Sequence, residues 1–171
     1  MTRLSVMLLV FAAAALAPSQ AEAQFANRSV SLSLGYMHLN EAAGLDAGFP
    51  LGLAYTGYIE GGFEWSAGVQ GMILRDLTGR QVVAVAGGPG IRYLFLEEGL
   101  RPYVGGELTY LHIFAYEIAT QFVGLGPYVG VDYFLTDSFS IGARGQYNFY
   151  VMLNQPLQTS LNGNVIFSAW F

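Results

Sequence analysis

The chain has 171 residues, a formal net charge of −5 at pH 7, 53% apolar residues and only 11% charged ones, against ~25% charged in a typical soluble domain. An acidic balance with no basic cluster excludes a nucleic-acid-binding surface. The absence of cysteine excludes disulfides and thiolate chemistry.

In chain order, the first element is a short export signal. Arg3 supplies a positive start, the stretch from about Leu4 to Ala17 is apolar, and Ala21-Glu22-Ala23 is a small-x-small cleavage site. The apolar stretch is well short of the ~20 residues that cross hydrocarbon as a helix. Residues 1–23 therefore read as a secretory signal peptide and residues 24–171 as one mature domain.

No later stretch is long and apolar enough for a membrane helix, yet the mature chain alternates apolar and small or polar residues. Period-two alternation puts every second side chain on one face of a sheet. The alternating segments are Ser29–Leu39, Leu51–Glu60, Phe63–Leu74, Gln81–Phe95, Arg101–Leu111, Gln121–Phe134, Phe139–Phe149 and Leu161–Phe171. Tight turns fall at Gly61-Gly62, Glu97–Gly99 and Thr136–Ser138, and longer connections at Asn40–Pro50, Arg75–Arg80, His112–Thr120 and Tyr150–Ser160. Eight strands with alternating connections predict an all-β, eight-stranded antiparallel up-and-down barrel, crossing a membrane with both termini on the periplasmic side. Pro89 and Pro127 fall inside strands and each removes a ladder donor, so bulges or weak pairing are expected there.

Alternation does not say which face of a barrel is wet, because a soluble barrel turns its apolar face inward and a membrane barrel turns it outward. The chain has no lysine and seven arginines, too few charges for a water-facing exterior. The less apolar phase is rich in Gly, Ser, Ala and Thr, which suit a crowded lumen. Glu41, Asp46, Arg75, Asp76, Arg80, Glu97, Glu98, Glu117 and Asp137 fall in loops or turns, and Arg28 and Arg101 at strand starts. Glu60, Glu64, Arg92, Glu107, Asp132 and Arg144 all fall on the inward phase. A base on the lipid face would cost ~2–4 kcal/mol near the midplane, so this phasing is what a membrane barrel requires. Folding the hairpins places Glu64 beside Arg92 and Asp132 diagonally from Arg144, with Glu107 between the two bases. The expectation is a lumen network of Glu64, Arg92, Glu107, Asp132 and Arg144 that plugs the barrel.

Two segments resemble a known group. Arg101-Pro102-Tyr103-Val104-Gly105-Gly106-Glu107-Leu108-Thr109-Tyr110 resembles the RPYVGAGLGY-like strand, and Gly130–Gly142 the GxDYxLTDxxSLG hairpin, of small outer-membrane β-barrel proteins of the OmpA, OmpX and OmpW type. The resemblance implies a Gram-negative outer-membrane location, contacts with lipid and lipopolysaccharide, and a closing strand read by the outer-membrane assembly machinery. Gly163, Val165, Phe167 and Phe171 match that assembly signal. A barrel-only member without a peptidoglycan-binding domain, and a monomer, are expected.

Outward aromatics at both barrel ends fit interfacial girdles. Phe63, Tyr93, Phe95, Tyr133 and Phe139 lie toward the periplasmic end, and Tyr36, Tyr110, Tyr147 and Phe149 toward the outer end. Trp65 and Trp170 fall on opposite phases, so at least one of them is expected to fill the lumen.

Candidate chemistry is thin. His38 and His112 lie near outer strand ends, but neither is followed two residues later by a serine, as the outer-membrane lipid A deacylase motif resembling His-x-Ser requires. A metal site from His38, Glu41 and His112 lacks a spacing motif. Gly87-Gly88-Pro89-Gly90 lacks the Lys-Ser/Thr of a phosphate loop and reads as backbone geometry. Arg75 and Arg80 are the bases nearest lipopolysaccharide phosphates and read first as solvated loop charges. No cofactor or catalytic residue is assigned. The leading function is a structural or surface-interactive outer-membrane protein with a plugged, non-porin lumen. The alternatives are a narrow OmpW-like channel for small apolar molecules, for which Met37, Met72 and Leu74 are inward near the outer mouth, and a lipid A-modifying enzyme.

Overall fold

Outward Val, Ile, Leu and aromatic side chains, alternating with inward small and polar ones, commit almost the whole mature chain to extended backbone. The computed structural model describes residues 27–40, 45–96, 99–115, 118–151 and 157–171; the expected signal peptide and Glu41, Glu97, Glu98 and Glu117 lie outside them. The eight strands are β1 Arg28–Leu39, β2 Leu45–Tyr58, β3 Phe63–Asp76, β4 Gln81–Leu94, β5 Leu100–Ala115, β6 Ile118–Thr136, β7 Phe139–Val151 and β8 Gln158–Trp170. Each pairs antiparallel with its sequence neighbour, and β8 returns to β1 from Ser29↔Trp170 to Leu39↔Ser160, closing the barrel. Closure removes both sheet edges.

The strands run further than the alternation showed, most of all at the end away from the termini. β2 begins at Leu45 instead of Leu51, β5 continues to Ala115 and β6 begins at Ile118. The expected contrast between short turns and long loops is therefore reduced: β5 and β6 stay paired as far as Ala115↔Ile118. Glu60 is a second correction, since it sits exposed in the β2–β3 turn and not inside the barrel. That turn depends on Gly61 (φ 62°) and Gly62 (φ 85°), consecutive left-handed positions that an L side chain resists.

Neither proline produces a bulge. The β4–β5 ladder passes from Gly87↔Tyr110 to Gly90↔Glu107 with its register unchanged, skipping Pro89, and the β6–β7 ladder likewise passes from Leu125↔Phe149 to Tyr128↔Gln146, skipping Pro127. The lost donor weakens pairing on one side only, because Pro89 still opposes Ala67 and Pro127 still opposes Gly106 on their other neighbours. Register shifts occur elsewhere, between Leu45 and Gly48 and between Phe134 and Thr136. Gly87–Gly90 lies within β4, so it is strand and not a phosphate-binding loop.

The barrel is inside out relative to a soluble one. Leu34, Leu51, Val69, Ile73, Leu108, Leu125 and Val129 are exposed on the outer wall, while Glu64, Asp132, Thr109, Gln146, Asn148, Asn162 and Asn164 are buried within. Exposed aromatic pairs mark both rims: Phe63 and Tyr93 (5.0 Å between ring centres) and Tyr93 and Phe95 (5.4 Å) near the termini, Tyr36 and Phe49 (5.6 Å) and Tyr147 and Phe149 (4.9 Å) at the far end. Tyr110 and Tyr133 are also exposed and Phe139 partly so.

Candidate functional site

Glu64, Arg92, Arg101, Glu107, Asp132 and Arg144 converge in the lumen, arranged in layers along the barrel axis. At the end carrying the termini, the Arg101 guanidinium carbon lies 4.1 Å from the centre of the Phe134 ring and 5.4 Å from that of Trp170. The Trp170 indole N–H donates to Ser140 Oγ at 2.8 Å, so Trp170 is the lumen tryptophan and Trp65 is exposed outside. Stacking a guanidinium between rings keeps its charge while its hydration is lost.

Above it lies the ionic layer. Glu64 and Arg92 are direct cross-strand partners, and Arg92 Nε donates to Glu64 Oε2 at 2.5 Å. Arg92 Nη1 lies 3.1 Å from Asp132 Oδ2, so one guanidinium serves two buried carboxylates. Arg144 Nη1 lies 3.7 Å from Glu107 Oε2, and Thr109 Oγ1 donates to Glu107 Oε1 at 3.3 Å. The pairing goes beyond the hairpin expectation: Asp132 has Arg144 as its diagonal neighbour on β7, and its carboxylate also meets Arg92 of β4, two strands away. In a barrel this narrow, an inward side chain reaches strands that the local register does not make adjacent.

Two tyrosines frame this layer. Tyr103 lies opposite Gly130, and Tyr128 opposite Gly105. Each ring lies over a glycine of the adjoining strand, and the two rings meet edge to face at 6.1 Å. Arg92 lies 4.4 Å from the centre of the Tyr103 ring and Arg144 5.1 Å from that of Tyr128. Sequence reading missed Arg101 and both tyrosines as lumen groups. The signal was present, since Arg101, Tyr103, Gly105 and Glu107 share one phase of β5 and Tyr128, Gly130 and Asp132 one phase of β6.

Beside the ionic layer, on the β1–β3 and β8 wall, small side chains leave a cavity of about 60 Å³ lined by Ser31, Ser33, Thr56, Ser66, Arg92 and Arg144 among others. That is room for a few waters, and the hydroxyls and guanidinium groups provide the two to four polar partners each water needs. Farther along, Gln146 Nε2 donates to Asn148 Oδ1 at 2.8 Å, Asn148 Nδ2 to Ser160 Oγ at 3.0 Å, and Ser160 Oγ to Asn162 Oδ1 at 3.3 Å. The far end is apolar: Met37, Leu39, Leu45, Met72, Leu74, Val82, Ala84, Ala86, Leu111, Ile113, Phe122 and Tyr150 form a single buried cluster.

Both histidines lie on the outer wall. His38 is exposed, with Nδ1 3.7 Å from Asp46 Oδ1, and His112 lies between Tyr110 and Phe114, 4.3 Å from the latter's ring centre. Neither is hydrogen-bonded to a serine among the described residues. β1 and β5 are four strands apart in a closed eight-stranded barrel, so the two imidazoles face opposite directions and cannot share a metal; Glu41, the third conceivable ligand, lies outside the described residues. Arg75 and Arg80 are exposed at the β3–β4 turn. Gly163 and Val165 are exposed on β8 and Phe167 partly so, and Phe171, just past its end, stays tied to β1 through Phe171 N→Arg28 O at 2.9 Å and Arg28 N→Phe171 O at 3.2 Å.

No family model matches the sequence, and no curated protein sequence matches it. Among solved structures the barrel is similar to Neisserial surface protein A, with a TM-score of 0.68 at 16% identity over 84% of this chain and 97% of that one. It is also similar to the N-terminal β-barrel domain of Pseudomonas aeruginosa OprF, with a TM-score of 0.54 at 18% identity over 82% and 96% of the two chains. The outer membrane enzyme PagL gives 0.54 at 14% identity over 84% and 99%. These likenesses establish the fold as the eight-stranded barrel of small outer-membrane proteins.

Proposed function

We propose that this chain is an integral outer-membrane β-barrel protein, exported through the periplasm, with a closed lumen and a structural or surface-interactive role. The observation that carries the reading is the reversal of polarity across the wall. Leucine, valine and isoleucine cover the exterior while three acids and three bases, Glu64, Glu107, Asp132, Arg92, Arg101 and Arg144, lie inside. A water-facing exterior of this composition would aggregate, whereas lipid is its natural solvent. The fold neighbours are outer-membrane proteins, which supports the same placement.

In this reading the two aromatic rims sit at the two interfaces, and the termini face the periplasm. Gly163, Val165, Phe167 and Phe171 act as the signal for the assembly machinery, with the exposed Phe171 ring available at the barrel base. Lipid and lipopolysaccharide are the partners of the outer wall. Support for a closed lumen comes from the filled interior: Arg101, Phe134 and Trp170 at one end, and buried Met37, Leu39, Leu74 and Leu111 at the other. The apolar cluster occupies the mouth that a channel for small apolar molecules would need open.

Two measurements test this. The purified mature protein reconstituted in planar bilayers is expected to give no steady conductance; large stable channels would refute the closed lumen. Val129, 61% exposed on the wall, is replaced by arginine. In lipid vesicles Val129→Arg is expected to cost about 2–4 kcal/mol of folding free energy. The same change on a soluble barrel's water-facing surface would cost under ~0.5 kcal/mol, and that result would overturn the membrane assignment.

A further inference from the structure

Charge pairing does not by itself stop water and ions, because a polar lumen offers them partners at every step. The ionic layer here borders a cavity lined by Ser31, Ser33, Thr56, Ser66, Arg92 and Arg144, and several buried polar atoms of this half, Ser29 Oγ, Tyr103 OH and Arg144 Nε, have no protein partner. Buried polar atoms beside a polar cavity are where internal waters reside. The half of the lumen toward the termini is thus a wet environment.

The other half is different in kind. Seven of the eight strands send apolar side chains into one cluster: Met37 and Leu39 from β1, Leu45 from β2, Met72 and Leu74 from β3, Val82, Ala84 and Ala86 from β4, Leu111 and Ile113 from β5, Phe122 from β6 and Tyr150 from β7. Each is at most 6% exposed. None of them lines the polar cavity. β7 and β8 contribute the polar groups at this level, where Asn148, Ser160 and Asn162 form an uncharged chain of hydrogen bonds and the Tyr150 hydroxyl and Gln158 are buried beside them. Successive inward rows on a strand are roughly 7 Å apart, so two rows make a dry septum across the lumen. An apolar constriction of that kind bars ions by refusing their hydration water.

We propose that this septum, and not the Glu64, Arg92, Glu107, Asp132 and Arg144 network, is the permeability barrier of the barrel, and that the network instead stabilises a hydrated chamber beneath it. The inference rests on the closed-lumen reading and locates the closure at named side chains.

The test is ion flux through the full-length mature protein in planar bilayers, with each variant's folding verified by its heat-dependent gel shift. Wild type gives the baseline. Leu39→Ser/Leu74→Ser/Leu111→Ser is expected to raise flux at least tenfold in discrete steps, whereas Glu107→Gln/Arg144→Gln is expected to stay at baseline. A milder pair, Leu74→Ala/Leu111→Ala, only shortens side chains and is measured alongside in case the polar triple fails to fold; flux above baseline supports the septum. A folded septum variant that stays silent overturns the proposal, as does a network variant that conducts as well as the septum variant. Conductance already present in wild type would refute the closed-lumen reading itself, a distinct outcome.

Discussion

Arg92→Met is expected to lower the unfolding free energy of the barrel by about 3–5 kcal/mol, because it removes one partner of a buried ion cluster and leaves the others charged. Arg92 is the shared cation of Glu64 and Asp132, whose side chains are only 1% and 2% exposed. Methionine preserves much of the packing against Tyr103, so the loss reports charge and not volume. With Arg92 gone, two almost fully buried carboxylates must either stay ionised without their cation or take up protons, and both choices cost free energy. The triple variant Glu64→Gln/Arg92→Met/Asp132→Asn removes the charges together and is expected to recover most of the loss, since an absent cluster is cheaper than a broken one. Urea unfolding followed by tryptophan fluorescence in lipid vesicles reads both. A single variant as stable as wild type, or a triple no better than the single, would mean that the cluster is solvated well enough to tolerate the change.

Gly105→Val is expected to cost about 3 kcal/mol or more. A Cβ at this position would stand 2.6 Å from the Ile91 carbonyl oxygen and 2.5 Å from the Tyr128 ring. The ring has little freedom to withdraw, since its hydroxyl reaches Ile91 O at 3.4 Å and its face meets Arg144. The backbone oxygen belongs to the β4–β5 ladder, where Arg92 pairs with Gly105. Something in the ladder must therefore shift, and the ladder holds the ionic layer. The neighbouring Gly106 is the internal control: it lies on the outer wall, where an added Cβ meets nothing within 4 Å. Gly106→Ala is expected to change stability by no more than about 0.5 kcal/mol. Equal effects at the two positions, measured as the folded fraction on heat-shift gels and by urea unfolding, would contradict the inward and outward assignment of β5.

The difference between adjacent glycines illustrates what was readable from the chain. Alternation identified eight segments and their phases, and it put Glu64, Arg92, Glu107, Asp132 and Arg144 on the inward side, where they lie. The Glu64↔Arg92 pair followed from hairpin folding, because the short β3–β4 turn at residues 77–80 fixes the register. The added contact of Asp132 with Arg92 was not legible for the complementary reason. Hairpin register governs neighbours along the sheet and is blind to contacts across the lumen, which depend on barrel diameter and side-chain length. Strand ends at the far rim were also cut short, since alternation weakens where β2 carries Ala47, Gly48 and Pro50 and where β6 begins with Ile118-Ala119-Thr120.

The amino-acid order alone determined the strand count, the antiparallel order, the orientation of each side chain relative to the wall and the choice of apolar exterior, because all of these follow from a period of two and from the cost of misplacing charge in lipid. Only the closed barrel decided that Arg92 joins Glu64 to Asp132, that Arg101 stacks on Phe134 and Trp170, that two tyrosines lie over glycines of the neighbouring strand, and that apolar residues from seven strands meet in one septum. Those contacts join residues far apart in sequence, and closure is what brings their strands around a common axis.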